Sequence, residues 1–204
     1  MEIFCENLSK HFVDRPVFRN INFSISNGQA MGITGPNGSG KTTLMRIICY
    51  LLQPSEGKVS YRLNNETIER EQIYKHIGFV GPYLELYEDL TARENLRFFA
   101  QMKDLADSDE RIDALLEKFR LQGREDDLVK AYSSGMKQRL KYVFALLNKP
   151  SVLMVDEPRA NLDEEGIQTV YDILSQQKKE NILIVATNER EDLTYTDWTL
   201  PIDA

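Results

Sequence analysis

From Ile21 to Ser26 apolar and polar residues alternate, with Ile21, Phe23 and Ile25 set against Asn22, Ser24 and Ser26, which is the period of a strand with one buried face. Asn27-Gly28 then gives a hairpin turn signal, and a second strand is expected from Gln29 to Thr34. The rhythm changes after Lys41. From Thr42 to Leu52 the apolar residues Leu44, Ile47, Ile48 and Leu51 recur at helical spacing until Gln53-Pro54-Ser55-Glu56-Gly57 ends the run. Thr91-Ala92-Arg93-Glu94 has the form of a capping box and predicts a helix with Leu96, Phe99 and Met102 on one face. A further helix is expected from Ser108 to Arg120, with Ile112, Leu115, Leu116 and Phe119 inward. Gly135 to Asn148 is basic early and apolar late, and Lys149-Pro150 closes it. Val152-Leu153-Met154-Val155 reads as a buried parallel strand. After Asp163 the segment EEGIQTVYDILSQQKKE is an amphipathic helix, followed by the wholly apolar strand Ile182 to Ala186.

Strands alternating with helices imply an α/β core with a mostly parallel sheet. Lys58 to Val80 mixes strand-like and polar helical pieces, as an antiparallel β side sheet would, and the charge-rich stretch Asp104 to Asp127 reads as a solvated helical lobe. A length of 204 residues with 42% hydrophobic content suits one domain over 1–204, the helical lobe covering about 83–150. No apolar run approaches the roughly 20 residues needed to cross a bilayer, and the first residues lack the basic-then-apolar layout of a signal peptide, so a cytoplasmic location is expected. Cys5 and Cys49 are too few for a disulfide framework or a zinc site and are expected as reduced thiols. A net charge of −7 argues against a nucleic-acid partner.

Chemistry concentrates after the second strand. Gly35-Pro36-Asn37-Gly38-Ser39-Gly40-Lys41-Thr42-Thr43 fits G-x-x-x-x-G-K-[ST], in which glycines let successive backbone N–H groups turn inward around phosphate oxygens. Lys41 adds a point charge for the outer phosphates, Thr42 offers a hydroxyl to Mg²⁺, and Thr43 is expected against the inner phosphate. The following helix points its positive end at the same anion. Asp156, at the tip of an apolar strand, suits the metal's water shell, and Glu157 can take a proton from an attacking water.

With these residues in place the chain resembles, over nearly its whole length, the nucleotide-binding subunit of ATP-binding-cassette (ABC) transporters. Besides GPNGSGKTT and VLMVDEP, the run Tyr132-Ser133-Ser134-Gly135-Met136-Lys137-Gln138-Arg139 is similar to the family's signature, with Ser134 where a glycine is usual. A serine and free N–H groups at a helix N-terminus form a second anion site. The resemblance implies that Ser133, Ser134 and Gly135 cover ATP held by a second cassette, two copies closing head to tail as a homodimer. Pro158-Arg159-Ala160-Asn161-Leu162-Asp163 resembles the loop that crosses that interface. It also implies membrane-embedded permease subunits as partners, with this chain peripheral on the inner face of the membrane. Phe12 stands where the family stacks a tyrosine on adenine, with Val17 lining the same side, and a phenylalanine ring offers the same π face. Short exporter-type cassettes, including haem-exporter subunits of cytochrome c maturation, are the nearest in form.

Two departures bear on activity. The family's glutamine near the metal is absent, Pro82 or Tyr83 taking its place, and neither supplies an amide oxygen from its side chain. Asn188 replaces a histidine that contacts the outer phosphate; it donates a neutral hydrogen bond but does not titrate near neutral pH. Two readings follow: an ATP hydrolase energising separate membrane subunits, with Glu157, Lys41 and Asn188 at the reacting centre, or a nucleotide-gated module acting by ATP-dependent dimer closure with little hydrolysis. A soluble cassette for translation or chromosome work is disfavoured by the absence of a tandem cassette or a long coiled coil. The expected groove for a membrane subunit's helix lies near Tyr83, Leu84, Leu86 and Tyr87.

Overall fold

A computed structural model describes residues 1–13, 15–106 and 108–202. Two sheets divide the strands. An antiparallel sheet has the order β2-β1-β4-β5, formed by β1 (Glu2–Phe12), β2 (Arg15–Ser26), β4 (Glu56–Leu63) and β5 (Glu66–Thr67). A five-stranded sheet has the order β6-β7-β8-β3-β9 and is parallel throughout, from β3 (Ala30–Thr34), β6 (Ile77–Val80), β7 (Val152–Asp156), β8 (Ile182–Ala186) and β9 (Trp198–Pro201). The expected α/β core and an antiparallel side sheet are both present, but the side sheet is corrected in place: it is built mainly from residues 2–26, takes only β4 and β5 from the Lys58 to Val80 stretch, and leaves Ile77–Val80 to the parallel sheet, where it pairs with β7.

Every residue of β7 and β8 is buried, which is why both read as unbroken apolar runs rather than alternating ones. Alternate side chains serve two cores. Leu153 and Val155 face one formed with α3 (Ala92–Met102), α4 (Ser108–Lys118), α5 (Ser134–Leu146) and α6 (Glu164–Glu180), while Val152 and Met154 join α1 (Lys41–Ile48) and the antiparallel sheet. Burying each such side chain contributes about 1.5–3 kcal/mol. Met31 and Ile33 of β3 and Leu44, Ile47 and Ile48 of α1 lie fully inside the second core, so the loop between those two elements is anchored at both ends.

The expected hairpin at Asn27-Gly28 is corrected. The turn exists, with Gln29 N–H donating to the Ser26 carbonyl, but it passes the chain from the antiparallel sheet to the parallel one. Gly28 N–H is taken by the Asn181 carbonyl, so tertiary contacts redirect what local sequence would fold back on itself. The helix after Lys41 is also shorter than its periodicity suggests. It ends at Ile48, Tyr50 enters the left-handed region at φ 58°, and Leu51, expected inward, is 60% exposed. Met102 closes α3 and is likewise exposed, although Leu96 on the same face is buried. The capping box forms as expected: Thr91 Oγ1 accepts from Glu94 N–H at 3.1 Å, and the Glu94 carboxylate accepts from Thr91 N–H at 2.8 Å.

Among the described residues α3, α4, a short 3₁₀ turn at Val129–Ala131 and α5 lie between 92 and 146, and Ile112, Leu115, Leu116 and Phe119 are all buried. Among the described residues no helix is long and apolar enough to cross a membrane. Both cysteines are free; burial pushes the Cys49 thiol up to about 12 and Cys5 higher still, so neither is a ready nucleophile.

Candidate functional site

Because the sheet is parallel, β3, β7 and β8 deliver their C-terminal ends to one edge. Asp156 pairs with Ala186 and Ile33 pairs with Ala186, so three loops leave side by side: residues 35–40 after β3, Glu157 after β7 and Thr187-Asn188 after β8. Backbone bonds tie these exits together, Glu157 N–H donating to the Ala186 carbonyl at 2.8 Å and Thr187 N–H to the Ile33 carbonyl at 3.1 Å. A crevice at the carboxyl ends of parallel strands is the general ligand position in open α/β sheets.

The glycine loop wraps into the first turn of α1. Gly40 has φ 107°, and a Cβ there would lie 2.3 Å from Val17 Cγ1, so the loop rests directly on Val17 and admits no side chain. Gly38 is also left-handed, and Ser39 is buried with no partner for its Oγ among the described residues. An orphaned buried hydroxyl in a glycine loop suits a polar ligand.

Lys41 is 6% exposed, and its ammonium donates to the carbonyls of Gly35 at 2.8 Å and Pro36 at 3.3 Å and to Asn188 Oδ1 at 3.0 Å. Asn188 Nδ2 in turn donates to Asn37 Oδ1 at 2.7 Å. Asn188 therefore bridges the lysine and the glycine loop from across the sheet. The Thr42 hydroxyl donates to the Asp156 carboxylate, which is buried. Burial raises the Asp156 carboxyl above its ordinary range, while the Thr42 hydrogen bond and the Lys41 charge pull it back. Burial likewise raises Glu157, opposed by Lys41 and reinforced by Asp156. Glu157 sits in the left-handed region at φ 54°, a strain of order 1 kcal/mol held by its bond to β8. Thr43, half-buried on the first turn of α1, completes the loop. A hydroxyl and a carboxylate beside a phosphate loop are the hard-oxygen donors that magnesium takes, so Thr42 and Asp156 fit that ion.

Phe12 ends β1 and is 50% exposed, which excludes a core role. The Lys10 ammonium lies 4.8 Å from its ring centroid.

Ser133 caps α5, its Oγ accepting from Met136 N–H at 3.2 Å. Ser133 and Ser134 are exposed, and among the described residues no hydrogen bond joins them or Gly135 to the glycine loop. Instead the signature packs on residues 158–163 of its own chain: a Cβ on Gly135 would come within 3.0 Å of the Asn161 carbonyl. Arg139 pairs with Asp163, which also caps α6 by accepting from Gly166 N–H at 2.9 Å. Arg139 was not foreseen in this role; its place one turn beyond the signature, on the same helix face, was the available signal.

Of the two residues standing for the absent glutamine, Pro82 is exposed and Tyr83 lays its ring against Arg46 of α1, 4.7 Å from centroid to guanidinium. Tyr83 and Tyr87 are exposed, whereas Leu84 and Leu86 are half-buried; both leucines line a groove of about 380 Å³ with Pro82, Val129, Lys137 and Lys141. Leu86 packs on the core as well. The buried Asn95 holds this segment, accepting from Tyr87 N–H at 2.8 Å and donating to the carbonyls of Tyr87 and Thr91, both at 2.9 Å. A polar residue on the inner face of a predicted helix was its one trace in the sequence.

Comparison with known proteins agrees with this geometry. A family profile described as "ABC transporter" matches residues 18–160. The chain is 39% identical over 168 residues to the uncharacterized ABC transporter ATP-binding protein YdbJ of Bacillus subtilis, covering 82% of this chain and 54% of that protein. It is 32% identical over 180 residues to the cytochrome c biogenesis ATP-binding export protein CcmA of Mannheimia succiniciproducens, covering 87% of this chain and 83% of the relative. The chain thus spans little more than half the length of the first of these relatives. Among solved structures, a dimeric ATP-binding cassette in a post-hydrolysis state with ADP and Pi superposes with a TM-score of 0.86 at 25% identity, covering 98% of this chain and 94% of the other.

Proposed function

Because the chain belongs to the ABC transporter family, with its ATP-binding proteins as relatives, we propose that it binds and hydrolyses ATP and passes the resulting closure and release to separate membrane-embedded permease subunits. The observation that carries the reading is the common edge of β3, β7 and β8, where two bonded pairs, Lys41 with Asn188 and Thr42 with Asp156, stand side by side and Glu157 follows Asp156 directly.

Lys41 exchanges its carbonyl partners for phosphate oxygens and neutralises their charge in a half-enclosed site, where charge is weakly screened. Backbone N–H groups of 38–43 and the N-terminal end of α1 hold the same anion, with Ser39 Oγ as a further donor. Glu157 accepts the proton of the water that attacks the outer phosphorus, a role suited to a carboxyl raised by burial. The P–O bond to the leaving diphosphate breaks as the new P–O bond forms, giving ADP and phosphate. Magnesium, held through Thr42 and Asp156, supplies charge neutralisation across the outer phosphates. Asn188 donates to the outer phosphate without carrying a proton, and Phe12 with Val17 receives the base.

The second half of each site is proposed to come from Ser133, Ser134 and Gly135 of another copy, closing head to tail as a homodimer; the dimeric ADP- and Pi-bound relative supports this. Peripheral attachment at the inner membrane face, through the Leu84–Leu86 groove, and an exporter-type assembly without nucleic acid follow the same reading. No observation favours the non-hydrolysing alternative, since Glu157 is retained and held.

Phosphate release under Mg-ATP tests the assignment. Glu157→Gln is expected to lower turnover about 100-fold or more while ATP affinity is kept. Unchanged turnover sinks the role given to Glu157.

A further inference from the structure

The residue that holds Asn188 in place is not itself in the phosphate site. Asp192 opens the 3₁₀ turn Asp192–Tyr195 and is 1% exposed, a carboxylate buried with no lysine or arginine bonded to it among the described residues. Its two oxygens are used separately. Oδ2 accepts from Thr187 Oγ1 at 2.6 Å, and Oδ1 accepts from the Tyr171 hydroxyl of α6 at 2.8 Å. Thr187 Oγ1 also accepts from Glu189 N–H at 2.9 Å, so its own proton is committed to Asp192. Thr187 is fully buried, and its N–H donates to the carbonyl of Ile33 near the end of β3, just before the glycine loop. Tyr171 is braced by its stack on Tyr195, centroids 4.7 Å apart.

The consequence falls on the next residue. Asn188 is exposed and reaches Lys41 and Asn37 from a position directly after Thr187, which is bonded through both its backbone and its hydroxyl. We propose that Asp192 is a positioning residue of the nucleotide site: by accepting from Thr187 and Tyr171 together, it sets the loop that presents the Asn188 carboxamide to Lys41 and to the outer phosphate. The proposal rests on the nucleotide-binding part of the function proposed above, not on hydrolysis. Burying a carboxylate is costly unless it is fully bonded, so two hydroxyl donors on one carboxylate make a rigid, geometrically demanding brace. An amide in its place offers one acceptor oxygen and an NH₂ group, so one of the two hydroxyls loses its acceptor.

The test reads ATP against ADP affinity, because only ATP carries the outer phosphate that Asn188 faces. Affinities are measured by calorimetry on the full chain carrying Glu157→Gln, so that ATP stays intact, alone and with Asp192→Asn, Asn188→Ala or both; melting temperatures are recorded for each. Asp192→Asn is expected to weaken ATP about fivefold while ADP changes less than twofold, Asn188→Ala to do the same, and the double variant to be no worse than Asn188→Ala alone. Tyr171→Phe, which keeps the ring and removes one donor, is expected to weaken ATP about twofold. An unchanged ATP-to-ADP ratio in Asp192→Asn, or effects of Asp192→Asn and Asn188→Ala that multiply in full, overturns the proposal and leaves Asp192 a packing residue. A parent chain that binds both nucleotides but releases no phosphate without Glu157→Gln overturns the hydrolase reading alone. One that binds neither overturns both.

Discussion

At the phosphate loop Asn188 already bridges Lys41 and Asn37, and Thr42 is bonded to Asp156, whereas at the signature Ser133 and Ser134 stand exposed and only the helix cap uses a side chain. The first region draws its partners from three loops of the parallel sheet. The second is braced from behind, by Asn161 and the Arg139–Asp163 pair, and presents its front outward. The contrast teaches that one face is organised by bonds within the chain and the other is left open to solvent. On the function proposed above, the preorganised half receives the nucleotide and the open half, held rigid from behind, covers the nucleotide of a second copy.

Removing the central cation breaks the comparison most severely. Lys41→Ala leaves Asn188 without its partner and the phosphates without their charge, and ATP affinity measured by calorimetry should fall about 100-fold, ~2.7 kcal/mol. Next in size is the opposite face. Gly135→Asp sets a carboxylate where an anion is to be received, and its Cβ meets the Asn161 carbonyl; ATP-dependent dimerisation in the ultracentrifuge should weaken about tenfold or more, with monomer affinity for ATP unchanged. Gly135→Ala separates the steric share from the charge. If Gly135→Asp reduced monomer affinity as much as Lys41→Ala does, the two regions would form one site within a chain and the contrast would be wrong.

Smaller effects belong to the helical lobe that carries the signature. Thr91→Ala removes the cap bond of α3 and should cost about 1 kcal/mol, a fall in Tm of about 2–4 °C by calorimetry, with nucleotide affinity unmoved. Lys103, beyond the end of α3 and 5.8 Å from the Phe144 ring centroid, is pushed down to about 8 by burial. The folded chain therefore holds its proton less tightly than the unfolded chain, and stability should rise as pH increases from about 8 toward the ordinary lysine value. Comparing denaturant midpoints of wild type and Lys103→Met across that window should show the rise in the first and not in the second.

What could be read in advance was local. Capping at Thr91, the amphipathic helix after Asp163, the unbroken apolar strands at 152–155 and 182–186, the glycine loop and the Asp156-Glu157 pair all depend on residues within a turn or two of one another. The hairpin at Asn27-Gly28 failed for the complementary reason: a turn signal fixes a reversal of direction, and distant strands decide which sheet the chain then joins. Leu51 shows the same limit, because helical spacing continued past the left-handed residue at Tyr50 that ends the helix.

The amino-acid order by itself determined which atoms are on hand for chemistry: an ammonium after a glycine loop, a hydroxyl next to it, two carboxylates closing an apolar strand, and the amide of Asn188 after the last apolar strand run. Only the tertiary structure decided who meets whom. Lys41 and Asn188 are 147 positions apart and Thr42 and Asp156 are 114 apart, and no pattern along the chain encodes those pairings. They arise because β8 lies between β7 and β3 in a parallel sheet, which brings three strand ends to one edge; Asp192, which lies outside every motif, is joined to that same edge by way of Thr187.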